Sequence, residues 1–195
     1  MKKIVPQNSI LIPDSAECKF QGVIYSVYQW PQQTFDGSTA TFEMIKRPDT
    51  VGAICVVDDT IMVLKDEQPH RGTMVTFPGG RVETEEDVTD AIKREVHEET
   101  GYSFKNWKLL KVRQPHLKIE WFIYTFICWD VEGRATPHLD GGEKITVDFL
   151  SFDKVLRLVK GKAGYLGEEE DIFIGSHSTQ DLLALPEYQG KTVDR

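Results

Sequence analysis

A chain of 195 residues holds one full domain with room for a small addition, and at this size folding needs no disulfide or metal staple. Its 40% hydrophobic and 28% charged residues are globular proportions, which exclude a disordered or fibrous chain. Lys+Arg 23 against Asp+Glu 31 leaves a net charge of −8 with no compensating basic cluster, so nonspecific binding to a nucleic-acid backbone is excluded as the leading function. Cys18, Cys55 and Cys128 are odd in number and far apart, without a CxxC, and read as reduced thiols rather than a disulfide framework or zinc site. The opening MKKIVPQNSILIP has no apolar export core, and no apolar run of ~18 residues follows, so the expected location is the cytoplasm and no membrane partner is expected.

In chain order, residues 19–30 and 38–47 alternate in the manner of strands around PQQTFDG, predicting a small N-terminal antiparallel hairpin. After Pro48 and Asp49 a new unit opens, which sets the expected division into an N-terminal β-subdomain, 1–48, and a main domain, 49–195. VGAICVV, a turn at Asp58 and Asp59, and TIMVLK predict a second hairpin. Thr84 with Asp87 three residues on resembles a capping box, and Gly101 is a natural stop, predicting a helix over about 85–100. Residues 119–129 are apolar at nearly every position and rich in aromatic and β-branched types, predicting a strand deep in a sheet. Residues 151–160, stopped by Gly161, and 179–185 before Pro186 carry two further helical patterns. Strands with helices between them predict an α/β layered domain.

The helix over 85–100 carries the chemistry. At 100° per residue, Val88, Ala91 and Ile92 form a core-facing stripe, and the same line runs on into Glu95, Glu98 and Glu99. Glu86, Asp87, Asp90, Lys93 and His97 supply a separate solvated face. Acids in the last turn oppose the helix dipole and repel one another, a cost that a hard divalent cation reverses. Arg94, one turn before Glu98, is placed to orient that carboxylate, and the Pro78-Gly79-Gly80 turn before the helix can bring a main-chain carbonyl to a metal. The plainer alternative is an amphipathic helix whose last turn frays into solvent.

Gly80, Glu86 and the run Arg94-Glu95-Val96-His97-Glu98-Glu99-Thr100-Gly101-Tyr102 resemble the Nudix box of the Nudix hydrolase superfamily, with all seven fixed identities at their spacing. At ~5–7% usage per residue type the coincidence is on the order of 10⁻⁹ per start position. Tyr102 stands where a bulky aliphatic is usual. The resemblance implies a Nudix-like α/β/α sandwich with a mixed sheet, whose loop-helix-loop box binds Mg²⁺ or Mn²⁺. It also implies hydrolysis of a nucleoside diphosphate derivative by water attacking one phosphorus. Carried over by position, Glu95, Glu98 and Glu99 would hold metal together with the carbonyl of Gly79. Arg94 would hold the carboxylates in place, and Glu86 would be mainly structural.

The N-terminal hairpin, KRPDTVGAI, EQPHRGTMVTFPGG and GGEKITVDFLSFDKVLRLVKGKAG resemble the ADP-ribose pyrophosphatase branch of that superfamily. The branch implies a homodimer built with the extra β-subdomain and a base held by its aromatics, with Trp30 or Phe35 in that role. Arg47 and Arg71 would hold pyrophosphate or ribose oxygens, and Glu143 would be general base or extra ligand, with Glu120 as its competitor. QPHLKIEW lies where the branch has an SPG-type segment, which leaves the substrate open. ADP-ribose, cleaved to AMP and ribose 5-phosphate, is the first expectation. Other nucleotide sugars, dinucleoside polyphosphates or nucleoside triphosphates follow, and a nucleotide-binding module without turnover is the reading from a different class.

Overall fold

The computed structural model of the chain describes residues 2–69, 72–139, 141–142 and 144–194. Its first half runs β1 (Lys2–Val5), β2 (Glu17–Gln21), β3 (Ser26–Gln33), β4 (Thr39–Lys46), β5 (Thr50–Val57), β6 (Thr60–Gln68), β7 (Gly72–Thr76), β8 (Gly79–Arg81) and α1 (Val88–Thr100). The second half runs β9 (Tyr102–Arg113), β10 (Ile119–Glu120), β11 (Ile123–Arg134), β12 (Lys144–Ser151) and α2 (Phe152–Lys160). A 3-10 turn (Leu166–Glu169), α3 (Glu170–Phe173), α4 (Thr179–Ala184) and β13 (Lys191–Asp194) complete it.

The central sheet has the order β12-β6-β5-β11-β9, with β7 beside β6 and β8 beside β5; β5 and β11 are parallel and the other pairs antiparallel, so the sheet is mixed. Alternation along its strands sends Val51, Ala53 and Cys55 to one face and Ile54 and Val56 to the other. The first face is covered by Ala91, Ile92 and Val96 of α1, the second by Phe152, Val155 and Val159 of α2 with Phe173 and Leu182. Each large side chain buried this way stabilises the sandwich by roughly 1.5–3 kcal/mol. The α/β/α sandwich is therefore the one expected, and β2, β3, β4 and β10 form the small sheet beside it.

Two strands differ from expectation. Residues 19–30 are not continuous: the chain reverses at Gly22, whose N–H donates to the Tyr25 carbonyl at 2.8 Å, and β2 folds back on β3. Residues 119–129 break at Trp121 and Phe122, because β10 pairs parallel with β4 in the small sheet while β11 enters the middle of the large one. Both β5–β6 and β3–β4 hairpins form. The helix starts at Val88, with Asp87 rather than Thr84 as its cap, the Asp87 side chain accepting from Thr89 N–H. Gly101 ends it in the left-handed region at φ 75°. All three cysteines are free, with Cys55 and Cys128 buried side by side on β5 and β11, and burial pushes the Cys128 thiol up. Among the described residues no helix is long and apolar enough to cross a membrane.

The chain ends join as the ribbon β1–β13, which drops Val5 into the α1 side of the core. Asp49 anchors that ribbon: one carboxylate oxygen takes Lys3 Nζ at 2.7 Å and the other takes the Phe122 N–H at 3.0 Å. Near it Tyr124 is fully buried, with a hydroxyl that no group among the described residues hydrogen-bonds. Burial and the charges of Asp49 and Asp87 push its phenol well up. Tyr124→Phe removes that unpaired hydroxyl at constant shape and is expected to stabilise the fold by about 1 kcal/mol. A urea midpoint that rises at unchanged slope is the expected result, and one that falls would mean that the hydroxyl is satisfied in solution.

Candidate active site

The site is built where β8 meets the last turn of α1. Register places Gly79 opposite Gly52 and Gly80 opposite Val51, and Ala53 N–H binds the Pro78 carbonyl at 2.9 Å. Gly79 sits at φ 153°, where a side chain would overlap the Val51 carbonyl. Its freed N–H donates to Glu99 Oε2 at 2.8 Å, and Glu99 is only 9% exposed. At Gly80 an added Cβ would overlap the Glu95 carboxyl group. The two glycines therefore let the backbone approach the helix closely enough to touch two of its three glutamates.

Arg94 organises the rest. Its Nε and Nη2 each donate at 2.9 Å to the two oxygens of Glu86, Nη1 donates to Glu95 at 2.9 Å and to Glu98 at 3.0 Å, and Nη2 also donates to the Arg81 carbonyl at 3.0 Å. The Glu86 bond, with help from Glu95 and Glu98, raises the Arg94 pKa, and the same bond lowers that of Glu86. Glu98 stays 44% exposed and Glu95 16%, so the three acids pass from buried to open along one line. The carbonyls at the end of α1 are satisfied from outside the helix: His138 N–H binds Glu98 O and Ala135 N–H binds Gly101 O, both at 2.7 Å.

Among the described residues no three His, Cys, Asp or Glu side chains stand together closely enough to hold an ion as placed. The glutamates are drawn instead to Arg94 and to Gly79 N–H. The donor chemistry nevertheless fits a hard divalent cation, with carboxylates from one helix turn pressed against a side-chain-free backbone.

The remaining candidates are scattered. Arg47 lies at the junction of the two sheets, its guanidinium 4.3 Å above Trp121 and 5.7 Å from Tyr25, with a buried Nε that finds no acceptor among the described residues. Trp121 is itself pinned to Thr50 Oγ1 at 3.0 Å, and Thr50 pairs with Arg81 of β8. Trp30 packs on Phe42 at 5.1 Å, and Phe35 is fully exposed at the hairpin tip. Glu120 is buried, giving one oxygen to Lys46 at 3.2 Å and the other to Ile12 N–H at 2.7 Å. Arg71 and Glu143 lie outside the described residues; Gly141 and Gly142 border a cavity of about 370 Å³ with Glu67, Gln68 and Lys144. Sequence reasoning missed Trp121 and Asp49. A tryptophan beside a candidate loop was the available signal for the first, and Asp49 had none beyond its place after Pro48.

A mixed sheet thus lies between two helical layers, with an acid-lined helix end facing a Gly-Gly turn. The NUDIX domain model matches residues 46–166, more than half the chain, and the protein belongs to that family. It is a Nudix hydrolase, of a family whose members generally need a divalent metal. It is 28% identical over 153 residues to an ADP-ribose pyrophosphatase of Bacillus subtilis, covering 75% of this chain and 81% of that one. It is 26% identical over 135 residues to a methanol dehydrogenase activator of Bacillus methanolicus, covering 67% and 72%. Among solved structures, an ADP compounds hydrolase superposes with a TM-score of 0.62 over 86% of this chain and 95% of the other, at 18% identity, a likeness of fold.

Gly80→Ala separates site from fold. The clash falls on the carboxyl end of the flexible Glu95 side chain, so the unfolding midpoint is expected to hold within about 1 kcal/mol while turnover falls at least about tenfold. Equal loss of stability and activity would place Gly80 in the scaffold instead. Trp121→Leu removes the ring under Arg47; if Arg47 binds substrate anions, KM is expected to rise about tenfold at nearly constant kcat, with Trp121→Phe recovering part of it. A fall in kcat at constant KM would remove Trp121 from substrate binding.

Proposed function

We propose that the protein hydrolyses the pyrophosphate bond of a nucleoside diphosphate derivative, with ADP-ribose as substrate and AMP and ribose 5-phosphate as products. The observation that carries this is the Arg94-centred array of Glu95, Glu98 and Glu99 against Gly79 and Gly80. Supporting the choice of substrate is the similarity to the Bacillus subtilis ADP-ribose pyrophosphatase along 81% of its length.

In this reading Glu95, Glu98, Glu99 and the Gly79 carbonyl hold Mg²⁺, or Mn²⁺. The metal, when bound, neutralises charge on the pyrophosphate and acidifies a water. Arg94 orients Glu95 and Glu98, since its planar fork of donors fixes the position of each carboxylate that it bonds. Arg47, its plane fixed on Trp121, presents its donor edge to phosphate oxygens, and Arg71 joins it. Glu143 takes the proton of the attacking water; Glu120 is the poorer base because both its oxygens are engaged. Trp30 supplies a face for the base. The sheet of the 1–48 subdomain serves a homodimer, with the exposed strand β2 and the exposed side chains Phe20, Val23 and Ile24 as its contact, and the 49–195 domain carries the chemistry. The enzyme works in the cytoplasm on a small molecule, not on nucleic acid.

The test is AMP release from ADP-ribose by purified protein with Mg²⁺, beside an EDTA control and Glu99→Gln. Turnover that needs metal and falls by roughly 10²-fold or more in the variant is the expected outcome. Intact ADP-ribose, with hydrolysis of other nucleotide sugars, dinucleoside polyphosphates or nucleoside triphosphates, would replace the substrate and keep the chemistry. Binding without turnover of any of these would make the protein a nucleotide-binding module.

A further inference from the structure

A second cavity, of about 420 Å³, lies at the opposite end of α1 from the glutamates. Asp87, which caps the helix, borders it, and Glu98 is eleven residues further on, or about 16 Å at 1.5 Å per residue. Its floor is apolar and aromatic: Leu109 and Phe126 are buried, and Trp107 and Tyr188 are half-buried beside them. Its walls carry opposite charges. Lys2 and Lys3 stand on β1, Lys3 already paired with Asp49, whereas Glu86 and Asp87 stand at the start of the helix and Glu187 on the C-terminal segment. The size is that of a small-molecule site, and the pattern of an aromatic body with a few polar groups around it is the usual one.

We propose that this cavity binds a nucleoside monophosphate with an exocyclic amine and that its occupancy is felt at the active site through Glu86. The flat base lies on the Trp107 and Tyr188 side of the floor, where an aromatic surface holds a ring at little entropic cost. The amine donates to the acidic wall, and the phosphate faces Lys2, an arrangement that needs donor and anion at opposite ends of the ligand. An aromatic amino acid carries its ammonium and carboxylate on one carbon and cannot divide them between the two walls.

Glu86 makes the link. It borders this cavity, and both its oxygens are bound to Arg94, which also holds Glu95 and Glu98. A ligand amine that draws Glu86 away frees the donors of Arg94 to close on Glu95 and Glu98. Occupancy therefore lowers turnover without displacing substrate. The proposal holds whichever pyrophosphate the enzyme cleaves.

The experiment is calorimetric titration of the full-length protein with AMP in EDTA, with inosine monophosphate, which has a carbonyl in place of the amine, as the control. Two cavity variants accompany it: Lys2→Glu at an exposed position, and Thr89→Trp, which fills the cavity from the helix side. AMP is expected to bind, inosine monophosphate at least tenfold more weakly, and each variant is expected to weaken AMP at least tenfold while binding at Gly80→Ala is unchanged. Inhibition of wild-type turnover by AMP is then expected to include a fall in kcat, beyond any rise in KM from AMP competing as product. Should Thr89→Trp fail to fold by circular dichroism, Lys2→Glu alone decides. AMP binding that both folded variants retain, or no binding at all, overturns the proposal, as does inhibition that only raises KM. Failure of ADP-ribose hydrolysis with Lys2-dependent AMP binding intact would instead overturn the substrate reading alone.

Discussion

Four carboxylates crowd one end of the sandwich, and the bonds of a single guanidinium hold three of them. Glu95 and Glu98 would repel one another in the last turns of α1, where the helix dipole also disfavours negative charge, and Glu86, just ahead of the helix, brings a third carboxylate to the same guanidinium. Arg94 answers both costs. Its planar fork reaches a bidentate partner on one side and two separate acids on the other, a geometry that the single point charge of lysine cannot reproduce. Its fifth bond, to the Arg81 carbonyl, ties the helix to the strand that carries the Gly-Gly turn. The fourth acid, Glu99, is held by the backbone N–H of Gly79 instead. Helix, turn and carboxylates thus form one unit, joined by hydrogen bonds to charged groups as well as by the apolar packing of α1.

That unit was legible because its constraints are local. The apolar stripe, the acids continuing it and the stop at Gly101 all follow from a 3.6-residue period, and the structure buries Ala91, Ile92, Val96 and Glu99 on one face. Even the contact of Arg94 with Glu98 is an i,i+4 pair. The cap was misplaced by three residues because Thr84 and Asp87 are both good capping types, and only the backbone decides between them.

What could not be read depends on pairing between distant segments. Residues 119–129 look like one buried strand because both halves are apolar, yet β10 serves the small sheet and β11 the large one. Composition does not say which partner each half takes. The same holds for residues 19–30, where the reversal at Gly22 is decided by the pairing of Glu17 with Gln29 and of Gln21 with Ser26. Asp49 is the sharpest case, since its two partners are 46 and 73 residues away in the chain. A buried carboxylate that joins a chain end to the start of a central strand leaves no periodic trace.

These distant contacts decide where the small sheet lies relative to the glutamates. The small sheet is fixed to the sandwich at the Ile45 to Thr50 stretch and at Ile119 to Phe122, and Glu120 locks the joint through Lys46 and Ile12. Arg47 and Trp121 occupy that joint, one on each crossing segment, so their stacking depends on the lock as well as on their own contact. A buried carboxylate with both oxygens occupied keeps its partners only while each geometry is maintained, and removing one partner leaves a desolvated charge. The joint is accordingly stiff against small displacements. A stiff joint fixes the distance between Arg47 on the small-sheet side and the acids at the end of α1, the distance that a pyrophosphate-bearing substrate would span in the function proposed above.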